Sequence, residues 1–530
     1  VFVAFATKEL SMRRYVLRCA AVAFFILALT PSTRADVPAK AAVETWDAAY
    51  LEGAKCGSFR TVTTTLERDG QKLVRTTLTM DLRIRRYNAV VPLRIETGDD
   101  ETADGKVIGL SMTQFADKGS LTQTGTVDGT ELIVGIKGQA DTRRVPWDAT
   151  VLGMHKQESV FRDRKVKPGD KFDYRTFELS LLMPVTVRVA VKDFEDVDLL
   201  VAREVNGKSA ALRQKKKLLR VESVPDKVEV GGNAVQLPRL VSWLDDKRDV
   251  VRSEMELPGL GKIALYRTTK AIATEEGVAP ALMPDLGLNT LIPLNRAIAR
   301  PLDDASIVYR VTVKGDDDPS TTFVRDARQQ VSDASGAAFT LTVQRQQIPV
   351  ENAEAEAPKA EFGQSSYFID SDDPKVRELA AAAVAREADA LRRAQRIERW
   401  VYDHMTGTSD VGFVPSSQIA RDLKGDCRQH AMLTAAMCRA VGVPSRTAVG
   451  LVYVNDSDRG PVFGFHMWTE VWARGKWLGV DATLGRGTIG PGHLKVADAS
   501  WHNTQTLAPL LPVIRVMGRL GIEVVKVEER

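Results

Sequence analysis

Beyond residue 35 the chain has no apolar run of the roughly 20 residues that a spanning helix needs. It has no strong charge of either sign. Lys and Arg number 73 against 69 Asp and Glu, a formal net charge of +4, so there is no polyanion footprint and no nucleic-acid partner is expected. The densest basic run, Lys215, Lys216 and Lys217 followed by Arg220, reads as a solvated loop or strand edge. Cysteine is scarce, with four in 530 residues, and no paired-ligand motif of the zinc kind is present. No metal and no cofactor are expected. Nor is any internal repeat evident.

What is present is an ordinary globular composition, 44% apolar and 27% charged, which is enough for a packed core. At about 100–200 residues per domain, 530 residues suggest about three domains. The first residues read as an export leader. Arg13, Arg14 and Arg18 precede an apolar stretch at 19–29, and Thr33-Arg34-Ala35 offers a cleavage site after Ala35. An uncleaved N-terminal membrane anchor is the alternative. Cys19 follows Arg18 directly, a poor context for lipid attachment. Cleavage leaves Cys56, Cys427 and Cys438, an odd number, so at least one thiol stays free or pairs with another chain. The expected location is periplasmic or secreted, with no transmembrane domain after cleavage.

The expected fold class is multidomain α+β. Residues 36–275 read as a large antiparallel β region, a curved sheet or open barrel. Runs at 60–66 and 72–80 alternate and are rich in β-branched residues, and Asp104-Gly105 and Asp128-Gly129 mark turns. Cys56 and His155 have no partners there that suggest chemistry. Residues 276–360 form a smaller β segment, with strands at 306–313 and 338–343, ending in an acidic linker at 351–358. Residues 361–530 turn helical first. Asp373-Pro374 is a cap and first-turn pair, and Val376, Leu379, Ala383 and Val384 share a face. A second helix carries Ala394, Ile397, Trp400 and Val401, with His404 at its end.

The chemistry lies in three short motifs. Gly425-Asp426-Cys427 opens a small-residue helix that ends at Gly442-Val443-Pro444, with Asp426 as its cap. Cys427 in the first turn meets free N–H groups and the positive end of the helix dipole, which favour a thiolate and a substrate oxyanion. Cys438, on the same helix, is about 16 Å along the axis, too far for a disulfide, and belongs to the core. A strand at 446–454 and a polar loop lead to a hairpin turning at Arg474-Gly475. A two-residue turn pairs Ala473 with Lys476 and sets His466 and Asp481 on one face as diagonal neighbours. A one-residue slip would separate them. An imidazole that takes the thiol proton and a carboxylate that holds the imidazole make Cys427, His466 and Asp481 a candidate triad. His430, one turn past Cys427, either assists or makes a metal site with Cys427 and His466. Glu470 shares the His466 face and either plays a supporting polar role or, the simpler expectation, meets solvent. Trp468, Trp472 and Trp477 either wall a dry channel or pack in the core.

These residues resemble the transglutaminase-like superfamily, specifically its exported bacterial members. The resemblance rests on GDC-x-x-HA at 425–431, G-V-P-x-R at 442–446, H-x-W-x-E-V at 466–471 and W-x-x-x-D-x-T at 477–483. Ala482 stands where the family usually has proline, and Met467 where it often has alanine; neither removes a reacting atom. The resemblance covers 361–500 and says little about 36–275. It implies a papain-like fold and acyl transfer. Cys427 attacks a carboxamide or peptide carbonyl, His466 shuttles the proton and Asp481 fixes the imidazole. Gln418 is a candidate for the upstream oxyanion donor. A protein or peptide substrate is implied, with hydrolysis favoured over cross-linking. The alternative is a non-catalytic envelope binding or assembly protein, in which the β region meets a cell-envelope component and the triad is only structural.

Overall fold

The computed structural model describes residues 42–530 and the short strand Val37–Pro38, apart from 69, 88, 117–118, 138–141, 180, 206–207, 231–232, 258, 260, 278, 280–281, 351–355, 409–411 and 503–507. The expected leader at 1–35, with Cys19, lies outside the described residues, as does most of the acidic linker.

Among the described residues, fifteen strands between 37 and 268 form one antiparallel sheet. Alternation drives it. In Glu131–Ile136 every second residue, Leu132, Val134 and Ile136, is buried. Two long strands, β1 (Gln71–Arg86) and β2 (Ala89–Thr102), run in register from Leu73–Thr102 to Arg86–Ala89. The sheet curls. Thr142–Pro146 is one edge and Lys171–Glu178 the other. Trp147, just past the first edge, packs 5.2 Å from Phe177 of the second. Lys215, Lys216 and Lys217 stand exposed on a strand, and Cys56 is buried in the sheet's apolar face.

A short helix α1 (Leu286–Asn289), capped by Asp285, leads to β3 (Ile292–Pro293). A four-stranded sheet follows. Its order is Gln329–Ser335, Ala338–Gln344, Ser306–Val313 and the last strand of the chain, Leu520–Glu528. Its inward residues Tyr309, Val311 and Phe339 share one core with Leu451, Phe463 and Leu494 of the next sheet.

The helical layer contains α2 (Pro374–Val384), α3 (Ala390–His404), α4 (Ser416–Asp422) and α5 (Cys427–Ala440). Asp373 caps α2 by accepting from the N–H groups of Lys375 and Val376 at 2.9 and 3.2 Å. Helix α5 is buried on all sides. Met432, Leu433, Ala435, Ala436, Met437 and Cys438 are each fully covered. Burying each of the larger side chains contributes about 1.5–3 kcal/mol. The helix packs on a sheet of β4 (Ser445–Asp456), β5 (Gly460–Ala473), β6 (Lys476–Val480) and β7 (His493–Ala499), in the order β3-β5-β4-β7 with β6 on β5. Thr469 of β5 donates its hydroxyl to the Ala431 carbonyl at 2.8 Å and ties the two layers together. The molecule is therefore mostly β, with a large N-terminal antiparallel sheet and a C-terminal α+β unit. Among the described residues no helix is long and apolar enough to cross a membrane.

Candidate active site

Cys427 is the first residue of α5, half-buried and free of any disulfide. Its position follows from two neighbours. Gly425 has φ of +150°, and a Cβ there would lie 2.4 Å from the Gln429 side chain, so only glycine fits. Asp426 then caps the helix in a reciprocal box. Its carboxylate accepts from the Arg428 N–H at 3.0 Å, while its own N–H donates to Gln429 Oε1 at 3.0 Å. Gln429 also donates to the Gly412 carbonyl at 2.8 Å and so holds the incoming loop. Burial alone would raise the Asp426 carboxyl. Arg428 and then Arg86 outweigh burial and hold it at about 2.

His466 and Asp481 come from adjoining strands. The β5–β6 register pairs Ala473 with Lys476 and Thr469 with Val480. Asp481 therefore follows directly at the end of β6, and His466 Nε2 lies 2.8 Å from Asp481 Oδ2. Both side chains are buried, His466 at 9% and Asp481 at 1% exposure. Burial opposes charge on each. For His466, Asp481 and then Cys427 outweigh burial and raise its pKa well above the ordinary imidazole value. For Asp481, His466 and then His493 outweigh burial and hold it well below the usual carboxylate range. Each group thus favours the charged form of the other.

Asp481 is held on every side. The Thr483 N–H donates to Oδ1 at 2.9 Å, and the Thr483 hydroxyl donates to the same oxygen. His493 of β7, fully buried, approaches Oδ2 at 3.1 Å. Burial depresses the His493 pKa, so it stays neutral and donates Nε2–H to the carboxylate. Its Nδ1 has no partner among the described residues. The sequence reading missed His493. It lies beyond the hairpin, and nothing local marks it as facing Asp481.

The remaining candidates fall as follows. His430 donates Nδ1–H to the Asp426 carbonyl at 2.8 Å, and burial keeps its pKa low. Gln418 lies on α4, with its backbone N–H on the Pro415 carbonyl at 3.0 Å. His404 ends α3 and stacks 4.1 Å from Trp400. Trp468 is fully buried, while Trp472 and Trp477 are half-buried and pack edge to face at 5.5 Å. Glu470 corrects an expectation. It is buried, not facing solvent, because cations from both sides converge on it. Arg446 of β4 reaches it at 2.7 Å and Lys495 of β7 at 3.0 Å. One ligand atom each from His466, Asp481 and His493 lies within 4.8 Å of the others, close enough to hold a metal ion. Both imidazoles hydrogen-bond the same carboxylate oxygen in this arrangement.

Residues 377–482 match the transglutaminase-like superfamily, a span that takes in Cys427, His466 and Asp481. No curated protein matches the chain. Three solved structures are similar at low identity. A candidate cysteine protease from Cytophaga hutchinsonii is 17% identical, with 43% of this chain and 87% of that one covered and a TM-score of 0.27. A β-barrel-like protein of a domain of unknown function from Brucella abortus is 12% identical, with 42% and 94% covered and a TM-score of 0.29. The periplasmic domain of TgpA from Pseudomonas aeruginosa, bound to ethylmercury, is 16% identical, with 34% and 91% covered and a TM-score of 0.22.

Proposed function

We propose that this chain, which carries a transglutaminase-like domain at 377–482, is a cysteine-dependent acyl-transfer enzyme that hydrolyses peptide or carboxamide bonds outside the cytoplasm. The observation that supports this most is the 2.8 Å bond between His466 and Asp481, on the sheet packed against the helix that Cys427 opens. The leader-like pattern at 13–35 supports the location.

The chemistry runs in two halves. The Cys427 sulfur, as thiolate, attacks the carbonyl carbon, and a C–S bond forms. The charge that develops on the carbonyl oxygen falls at the N-terminal end of α5, near the Cys427 N–H and the positive end of the helix dipole, since the Asp426 cap takes up the next N–H groups. The His466 imidazolium gives its proton to the departing nitrogen, the C–N bond breaks and an amine leaves. His466, now neutral, takes a proton from water. The hydroxide adds to the thioester, the C–S bond breaks with the sulfur leaving as thiolate, and a carboxylic acid is released, which restores the thiolate and the His466 imidazolium. Asp481 stays ionised throughout and orients the ring. An amine in place of water would give cross-linking.

The test is hydrolysis of an unbiased peptide library by the mature protein, followed by mass spectrometry. Cleavage that disappears in Cys427→Ala and in His466→Ala supports the reading. Cleavage that survives Cys427→Ala rejects it.

A further inference from the structure

The turn between β1 and β2 of the large N-terminal sheet reaches the start of α5. Arg86 ends β1, and its Nη1 donates to Asp426 Oδ2 at 2.7 Å. Both side chains are shielded, at 26% and 16% exposure, so salt weakens the contact without erasing it. Arg86 also lies over the Tyr87 ring, 5.4 Å from its centre.

Tyr87 is pinned behind and open in front. Its backbone adopts a left-handed φ of 49°, which a tyrosine holds only when its surroundings fix it. The fixing is visible. The Tyr87 N–H donates to Asp285 Oδ1 at 2.9 Å, and Arg85 reaches Asp285 Oδ2 at 3.5 Å. The Tyr87 ring lies against Gly287, where a Cβ would come within 3.0 Å of it. A few residues later Ile292 of β3 pairs with Phe463 of β5, the strand that carries His466. One short segment thus fastens the hairpin tip to the histidine strand, while Arg86 fastens it to the cysteine helix. Tyr87 keeps 38% of its surface open. Burial raises its phenol, Arg86 opposes the rise, and the charges of Cys427 and Asp426 add to it.

We infer that the hairpin tip of the N-terminal sheet completes the active site: Arg86 is a positioning residue that acts on Cys427 through Asp426. This rests on the cysteine-enzyme reading above. The reasoning is electrostatic. Asp426 is a fixed negative charge beside the nucleophile, and two guanidinium groups face it, Arg428 at 2.8 Å and Arg86 at 2.7 Å. Without Arg86 less of that charge is offset, and it opposes a thiolate more strongly at the next residue.

Alkylation of Cys427 in the full chain reads this effect without a known substrate. Iodoacetamide is the probe, with Cys56 and Cys438 as references. R86Q should slow iodoacetamide labelling at neutral pH roughly three- to tenfold. It should match wild type at alkaline pH, where any accessible thiol is ionised, and R86K should recover most of the loss. R86M, checked by circular dichroism, guards against a fold defect peculiar to glutamine. R86Q and R86M labelling like wild type at every pH would overturn the positioning role. Wild-type Cys427 labelling no faster than Cys56 and indifferent to His466→Ala would instead bring down the cysteine-enzyme reading, and the tip's role with it.

Discussion

His493 donates to the same oxygen of Asp481 that His466 uses, at 3.1 Å, from a strand on the far side of the sheet. The carboxylate is therefore oriented by two imidazoles and by Thr483. A buried charged hydrogen bond of this kind is worth about 1.5–3 kcal/mol. His493→Leu should therefore cut Cys427 alkylation at neutral pH about tenfold. His493→Gln, which can still donate, should lose less. A His493→Leu protein that folds and labels like wild type would mean that Asp481 needs no second imidazole.

Glu470 is the hub of a buried charge network. Arg446 and Lys495 both depend on it, and Lys495 is also 3.0 Å from Asp326 and 3.3 Å from Asp498. Removing one member of such a set leaves buried charge uncompensated. Glu470→Ala should cost about 3–5 kcal/mol in urea unfolding. A loss below about 1 kcal/mol would show that water or the remaining acids take over.

The large sheet carries a pH dependence of its own. Asp99 and Glu101 are buried on β2, and burial raises them to about 7 and about 8, with each Glu101 charge further opposed by Asp99. Their folded values lie above their unfolded ones, so between those limits the folded state holds more protons than the unfolded chain. Stability is then full below the unfolded values and is lost as pH rises through about 7–8. Glu101→Gln should remove much of that slope and gain about 2 kcal/mol at alkaline pH. The check is the urea midpoint across the range. An equal slope in the variant would show that Glu101 is not the titrating group.

The sequence made some of this legible and hid the rest for physical reasons. Local signals were readable. Gly425-Asp426 before a small-residue run announces a capped helix with Cys427 in its first turn, and the Arg474-Gly475 turn sets the register that brings His466 to Asp481. Alternation in segments such as 131–136 announced the large antiparallel sheet. Contacts between distant segments were not readable. Glu470 looks solvent-facing on its own strand and is buried only because Arg446 and Lys495 arrive from other strands. His493 reaches Asp481 from β7, and Arg86 reaches Asp426 across 340 residues of sequence. No local period encodes such meetings.

The central claim is that Cys427 is a nucleophile activated by His466. Its most direct test is the rate of Cys427 alkylation by iodoacetamide against pH, read by mass spectrometry in wild type and His466→Ala, with buried Cys56 and Cys438 as references. The account predicts rapid labelling of Cys427 well below the pH of about 8.5 at which an ordinary thiol ionises, and a marked slowing in His466→Ala. Labelling that tracks an ordinary thiol, and is the same in both proteins, would contradict it.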